Sequence, residues 1–198
     1  ASLKKITQVV KERSGEIMFG LNMVVHKGKT IFVGDTSVHE YPTSKQLSEI
    51  AISSARVVRL FGFDPKVAFV SHSTFGQPLT SRTKHIKEAV EILKEKKVDF
   101  EFDGDMQPDV ALNEEYKSLY PFSKIVGNAN ILIMPGQHSA AISYKMMKTL
   151  GDTKVIGPLL VGLGLPIEIA PLRSSTSEII NLASVAAYSA DVIDYKKD

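Results

Sequence analysis

The sequence predicts an α/β domain built as a three-layer, mostly parallel sheet with helices on both faces. Two observations predict it. Short apolar runs alternate with stretches whose apolar residues recur at helical spacing. Two capping-box signatures, Thr43-x-x-Gln46 and Ser175-x-x-Glu178, mark helix starts, because hydroxyl and N3 side chain can satisfy free N–H groups reciprocally. Strands separated by helices call for a parallel sheet covered on both faces.

Each element follows in order. Residues 17–26 and 30–33 are apolar runs around Lys27-Gly28-Lys29, a hairpin signal. The helix from Thr43 places Leu47, Ile50, Ala51, Ser54, Val58 and Phe61 at helical spacing, and Gly62 and Pro65 stop it. Val67–Val70 is a short buried strand, and the following amphipathic helix turns Ile86, Ala89, Val90 and Leu93 to one face. Residues 99–102, 131–134 and 155–161 read as further strands, with helices at 111–119 and 138–149. The last helix carries Ile179, Ile180, Leu182, Ala183, Val185, Ala186, Ala187, Ala190, Val192 and Ile193, more apolar surface than one amphipathic stripe requires. With no repeat, low-complexity tract or clear linker, residues 1–198 read as one domain.

Composition narrows the function. The chain of 198 residues is 43% hydrophobic and 23% charged, ordinary for a soluble globular protein. A net charge of +2 without a basic block on one face argues against nucleic acid. The absence of cysteine removes disulfides, thiolate metal sites and a cysteine nucleophile. The longest apolar run, 155–167, is too short and too broken by glycine and proline to span a bilayer. No charged-then-apolar leader opens the chain, and it starts at Ala1, so the expectation is a cytoplasmic domain excised from something larger.

In such sheets ligands sit outside the carboxyl ends of the strands. There the sequence places Ser71–Gly76, Asp103–Asp109, Pro135–Ser139 and the Leu172–Ser175 turn. Ser73, Thr74, Arg173, Ser174 and Ser175 are the ligand-binding candidates, the last three at a helix start where free N–H groups favour phosphate oxygens. The plainer reading is that these hydroxyls cap the next helix. Five scattered histidines have no metal-ligand spacing on one helix face, so no metal site is expected. Ser71, His72 and Ser73 lack a G-x-S-x-G elbow. Gly162–Ile167 lacks the third glycine of a dinucleotide fingerprint, and Pro166 opposes the expected helix.

Taken in order, these stretches resemble the phosphate acetyl/butyryltransferase family. The resemblance is carried by Phe32-Val33-Gly34-Asp35, Leu47–Ala51, Ser71–Thr74, Asp103-Gly104 with Gln107 and Asp109–Ala111, Met134-Pro135, Tyr144-Lys145, and Gly157–Leu160 with Gly162-Leu163 and Pro166. It covers most of that family's second domain plus its C-terminal helix. It implies two α/β domains with a cleft between them, the first mostly outside these residues.

The departures bear on activity. The family's Asp-x-Ser-Arg, which handles acyl phosphate and the coenzyme A thiol, falls on Ile169, Pro171 and Leu172, while the next acidic position is kept as Glu178. An arginine used toward coenzyme A falls at Thr149, and Gly136 and His138 replace a usual Asp and Asn. Proline offers no nucleophile and leucine cannot neutralise a developing charge, a loss that costs hundreds-fold or more in rate. These losses make the chain resemble the C-terminal phosphotransacetylase-like domain of bacterial NADP-dependent malic enzymes. That resemblance implies a parent that decarboxylates malate oxidatively to pyruvate, with NADP and a divalent metal (Mg or Mn) held upstream and no cofactor in this segment. It also implies regulation by acetyl-CoA or a related acyl-CoA, and a homo-oligomer, expected as a two-fold dimer. The alternatives are an active phosphate acetyl/butyryltransferase using Arg173, and a dimerisation module without a ligand.

Overall fold

The computed structural model describes residues 2–76 and 80–192. The elements are α1 (Ser2–Val9), β1 (Phe19–His26), β2 (Lys29–Gly34), α2 (Ser44–Leu60), β3 (Lys66–Val70), α3 (Ser81–Lys96), β4 (Glu101–Met106), α4 (Pro108–Leu112), α5 (Glu114–Lys117), β5 (Ile131–Ile133), α6 (Gln137–Leu150), β6 (Thr153–Val161) and α7 (Thr176–Val192). One six-stranded sheet has the order β4-β3-β5-β2-β1-β6. The pairs β4/β3, β3/β5 and β5/β2 are parallel, whereas β1 runs antiparallel to both β2 and β6. Five strands therefore point one way and β1 alone opposes them.

The hairpin turn needs positive φ at both central residues to match strand twist. Lys27 (φ 47°) and Gly28 (φ 76°) supply it, and His26 pairs with Lys29. Thr43 closes α2 with the expected reciprocal capping box, and Thr80 does the same for α3 with Thr83. Side chains alternate along the strands because successive residues face opposite sides. Phe19, Leu21, Phe32, Val67, Phe69, Ile131, Ile133 and Leu159 face α2, α3 and α7. Val24, Val33, Ala68, Val70 and Leu132 face α4 and α6. Both faces are covered, as the three-layer reading expects. Each fully buried large side chain contributes ~1.5–3 kcal/mol.

Three readings need correction. The strand expected at 99–102 runs from Glu101 to Met106. Its aspartates fit there because Asp103 accepts from the Lys124 and Gly104 amides and Asp105 accepts from Ser73. The single helix expected at 111–119 breaks at Asn113 (φ −132°, ψ 114°), whose side chain instead caps α5 through the Glu115 amide. The N-terminal α1 has no counterpart in the sequence reading; Leu3 and Ile6 pack against Val10, Met18, Leu160 and Leu163. Ile193 lies outside the described residues.

Candidate functional site

The site begins at a β-bulge. The β1/β6 register shifts between Leu21 and Met23, which puts Asn22 at the irregularity, and bulges re-aim side chains in this way. Opposite it, Gly157 has φ +133°, and a Cβ there would lie 3.0 Å from the Leu21 carbonyl oxygen and 3.2 Å from Asn22 Cγ. Only glycine lets the two backbones approach so closely. Asn22 is 1% exposed; its Oδ1 accepts from Thr36 Oγ1, while its Nδ2 has no partner. An unsatisfied buried donor costs ~1–3 kcal/mol, so this amide calls for an acceptor.

The loop after β2 holds this arrangement in place. The buried Asp35 carboxylate accepts from the amides of Gly20, Ser37, Val38 and His39 and from His39 Nδ1. The single Thr36 hydroxyl proton lies within reach of both Asn22 Oδ1 and Gly20 O. The Gly34-Asp35 motif thus works as a backbone clamp that fixes the partner of Asn22.

Beside Asn22 a cleft of about 180 Å³ opens between α6 and α7 along the edge strand β6. Tyr144, Lys145 and Lys148 enter from α6, Glu178, Asn181 and Leu182 from α7, and Pro171 and Ser174 from the preceding loop. The spacings i, i+3 and i+4 set each helical trio on one face. Lys148 Nζ donates to Glu178 Oε1 at 2.5 Å, and Lys145 Nζ lies 5.9 Å from the Tyr144 ring centre. Glu178 Oε2 also accepts from Ser175 N (2.7 Å) and Oγ (3.1 Å), completing the capping box of α7. The Lys148 hydrogen bond, aided by those from Ser175, holds the Glu178 carboxyl down to about 2. Burial pushes the Tyr144 phenol up, which keeps it a neutral donor, and Lys148 partly opposes this.

Chemically the cleft offers the ammonium groups of Lys145 and Lys148, the second paired with Glu178, together with a phenol and a serine hydroxyl, and the buried Asn22 amide lies behind them. That set suits a phosphate or carboxylate. Glu178, so acidic and already paired, is a poor general base. Pro171 supplies no nucleophile. Thr149, where the resemblance expects an arginine, donates back to Lys145 O within its own helix.

The predicted residues divide into two groups. Pro171 and Ser174 line the cleft, beside Ile156 and Gly157 rather than at the carboxyl end of β6. Ser175 caps α7, Arg173 and Leu172 are exposed, and Ile169 packs against Val10, Met18, Leu160 and Leu163. Ser73 is buried against Asp105, and Thr74 Oγ1 accepts from the Gln107 amide, so both tie β3 to β4. Three strands separate β3 from β6, about 19 Å at ~4.8 Å per strand, so Ser73 and Thr74 are not brought to the Arg173–Ser175 loop. Sequence reasoning missed Asn22 and Lys148 as site residues and quoted Tyr144-Lys145 only as a motif. The available signal was a lone amide in the otherwise apolar FGLNMVV.

Glu168 anchors the loop itself. It bridges Leu159 across β6, accepts from Leu160 N at 3.2 Å, and burial pushes its carboxyl up to about 8. Among the described residues, no group of three or more His, Asp or Glu side chains could hold a metal ion. No described helix is long and apolar enough to cross a membrane. After Gly162–Ile167 the chain stays non-helical until Thr176, which does not fit a dinucleotide turn.

Comparison with known proteins agrees with this architecture. An NADP-dependent malic enzyme of Rhizobium meliloti is 43% identical over 189 residues, which is 96% of this chain and 25% of that protein. A phosphate acetyltransferase of Bacillus subtilis is 30% identical over 96% of this chain and 59% of its own length. A phosphotransacetylase structure from Streptococcus pyogenes superposes with a TM-score of 0.90 at 30% identity, over 96% of this chain and 59% of that one. The chain spans about a quarter of the malic enzymes it matches. The match to the family described as phosphate acetyl/butaryl transferase runs over residues 1–187, and the chain belongs to that family.

Proposed function

We propose that this chain is the phosphotransacetylase-like domain of an NADP-dependent malic enzyme and that it regulates and oligomerises the parent by binding acetyl-CoA or a related acyl-CoA without turning it over. The observation that carries the reading is the cleft: it keeps cations and donors for a phosphate group, yet Pro171 and Leu172 stand where a nucleophile-orienting serine and a charge-stabilising arginine would act. At about 180 Å³ it accepts one phosphate-sized group, leaving the rest of the ligand along the exposed surface toward Arg173. The malic enzyme names of the relatives support an NADP-dependent malic enzyme as the parent, whose reaction we take to be oxidative decarboxylation of malate to pyruvate and whose place we take to be the cytoplasm. Its NADP and divalent metal belong to segments outside these residues.

A two-fold dimer through α7 completes the proposal. Within this chain α7 buries only Leu182 among its described residues, and it leaves Ile179, Ile180, Tyr188 and Val192 exposed. A symmetric contact would bury that face twice. Titration calorimetry with acetyl-CoA tests the ligand. The expected result is saturable binding that weakens with salt and in Lys145→Ala and Arg173→Ala. Equal affinity in both variants would remove this cleft from the site.

A further inference from the structure

We propose that the Lys148–Glu178 ion pair is a latch between the cleft and α7, opened when a phosphate-bearing anion takes Lys148 from Glu178. The proposal rests on the acyl-CoA reading and adds how occupancy would be transmitted. The pair joins the last turn of α6 to the first turn of α7, and both residues line the cleft. An arriving phosphate therefore meets Lys148 as a counter-ion and Glu178 as a like charge. Two negative groups cannot share one lysine without mutual repulsion, and Glu178, still held to Ser175 through Oε2, is the one that can let Lys148 go.

The exchange is cheap because the pair is wet. Lys148 is 49% and Glu178 30% exposed, and ion pairs of this kind contribute little net stability. Releasing it does not detach the helix. Leu182 stays buried in the core, Val185 packs against that core, and Tyr188 Oη donates to Leu60 O at 2.9 Å. These contacts lie in the middle and C-terminal part of α7. The first turn, by contrast, is tied to the rest of the fold through Glu178, and it carries the exposed Ile179 and Ile180. Opening the latch lets that turn swing about the Leu182 anchor and shifts the apolar face that a partner would contact. Effector binding and subunit contact then share one movable element, which coupling between sites requires.

Amide hydrogen exchange of residues 179–182, measured with and without acetyl-CoA, tests the latch alongside two variants. Glu178→Gln keeps a helix-capping amide at the same position and removes the charge. Lys148→Met removes the cation. In the wild type, acetyl-CoA is expected to speed exchange in this turn several-fold. Glu178→Gln should exchange fast without ligand and bind acetyl-CoA about two- to five-fold more tightly, the scale of an exposed pair. Lys148→Met should also exchange fast, and should bind more weakly. Binding with unchanged or slowed exchange in the wild type, or no gain of affinity in Glu178→Gln, overturns the latch alone. No binding in either the wild type or Glu178→Gln overturns the latch and the acyl-CoA reading together.

Discussion

Replacing Glu168 by glutamine should remove a pH-dependent weakness from the domain. The carboxyl is shifted from 4.5 to about 8, chiefly by burial, with the Leu160 amide opposing. The folded chain therefore keeps a proton that the unfolded chain gives up. Its folded pKa is raised, so stability is full below about pH 4.5, falls as pH rises, and levels off above about 8. At ~1.36 kcal/mol per pH unit the shift bounds the loss near 5 kcal/mol. Glu168 is not fully buried, and water reaching the ionised carboxylate screens it, so about 2 kcal/mol is the expected figure. Glutamine is isosteric, is never charged, and still accepts from Leu160 N. Thermal unfolding of wild type and Glu168→Gln at pH 5, 7 and 9 reads the effect. The two Tm values should nearly coincide at pH 5 and separate by about 4–8 °C at pH 9, the variant higher. A difference that does not grow with pH would refute burial as the cause.

Three further outcomes follow from the packing. Gly157→Ala should cost about 2 kcal/mol, because a Cβ at φ +133° meets the Leu21 carbonyl and Asn22, and Tm should fall by about 4–8 °C. Phe32→Ala removes a fully buried ring that contacts Phe61 and Phe63, and denaturant unfolding should show a loss of about 3–5 kcal/mol. Ile180→Glu, on the exposed face of α7, should leave the fold intact and turn a dimer into a monomer in sedimentation at micromolar concentration. An Ile180→Glu variant that stays dimeric would remove α7 from the interface.

Much of this architecture is legible because local chemistry and tertiary structure agree. The Thr43 and Ser175 capping boxes form as read, and the Lys27-Gly28 turn adopts the positive φ pair that a two-residue hairpin needs. Strand boundaries are less legible where polar side chains find partners across the fold. Asp103 and Asp105 look like loop residues until Lys124 N and Ser73 Oγ, 21 and 32 residues away, are brought to them. The opposed direction of β1 follows from the hairpin, but its place between β2 and β6 does not. That pairing decides the cleft, since it sets Gly157 against Asn22. The last helix illustrates the limit: Val185, three residues after the buried Leu182, packs against the core, while Ile179 and Ile180 remain outside, and an apolar run this broad does not itself say which side turns inward.

The central claim is that the cleft holds an acyl-CoA and does no chemistry on it. The rate of acetyl phosphate formation from acetyl-CoA and inorganic phosphate tests it most directly. The account predicts no formation above the uncatalysed background, because no serine–arginine pair meets the ligand at positions 171 and 172. Turnover near the ordinary enzyme rate of about 10 per second, abolished in Arg173→Ala, would contradict it and mark the chain as a working acyltransferase with a displaced arginine.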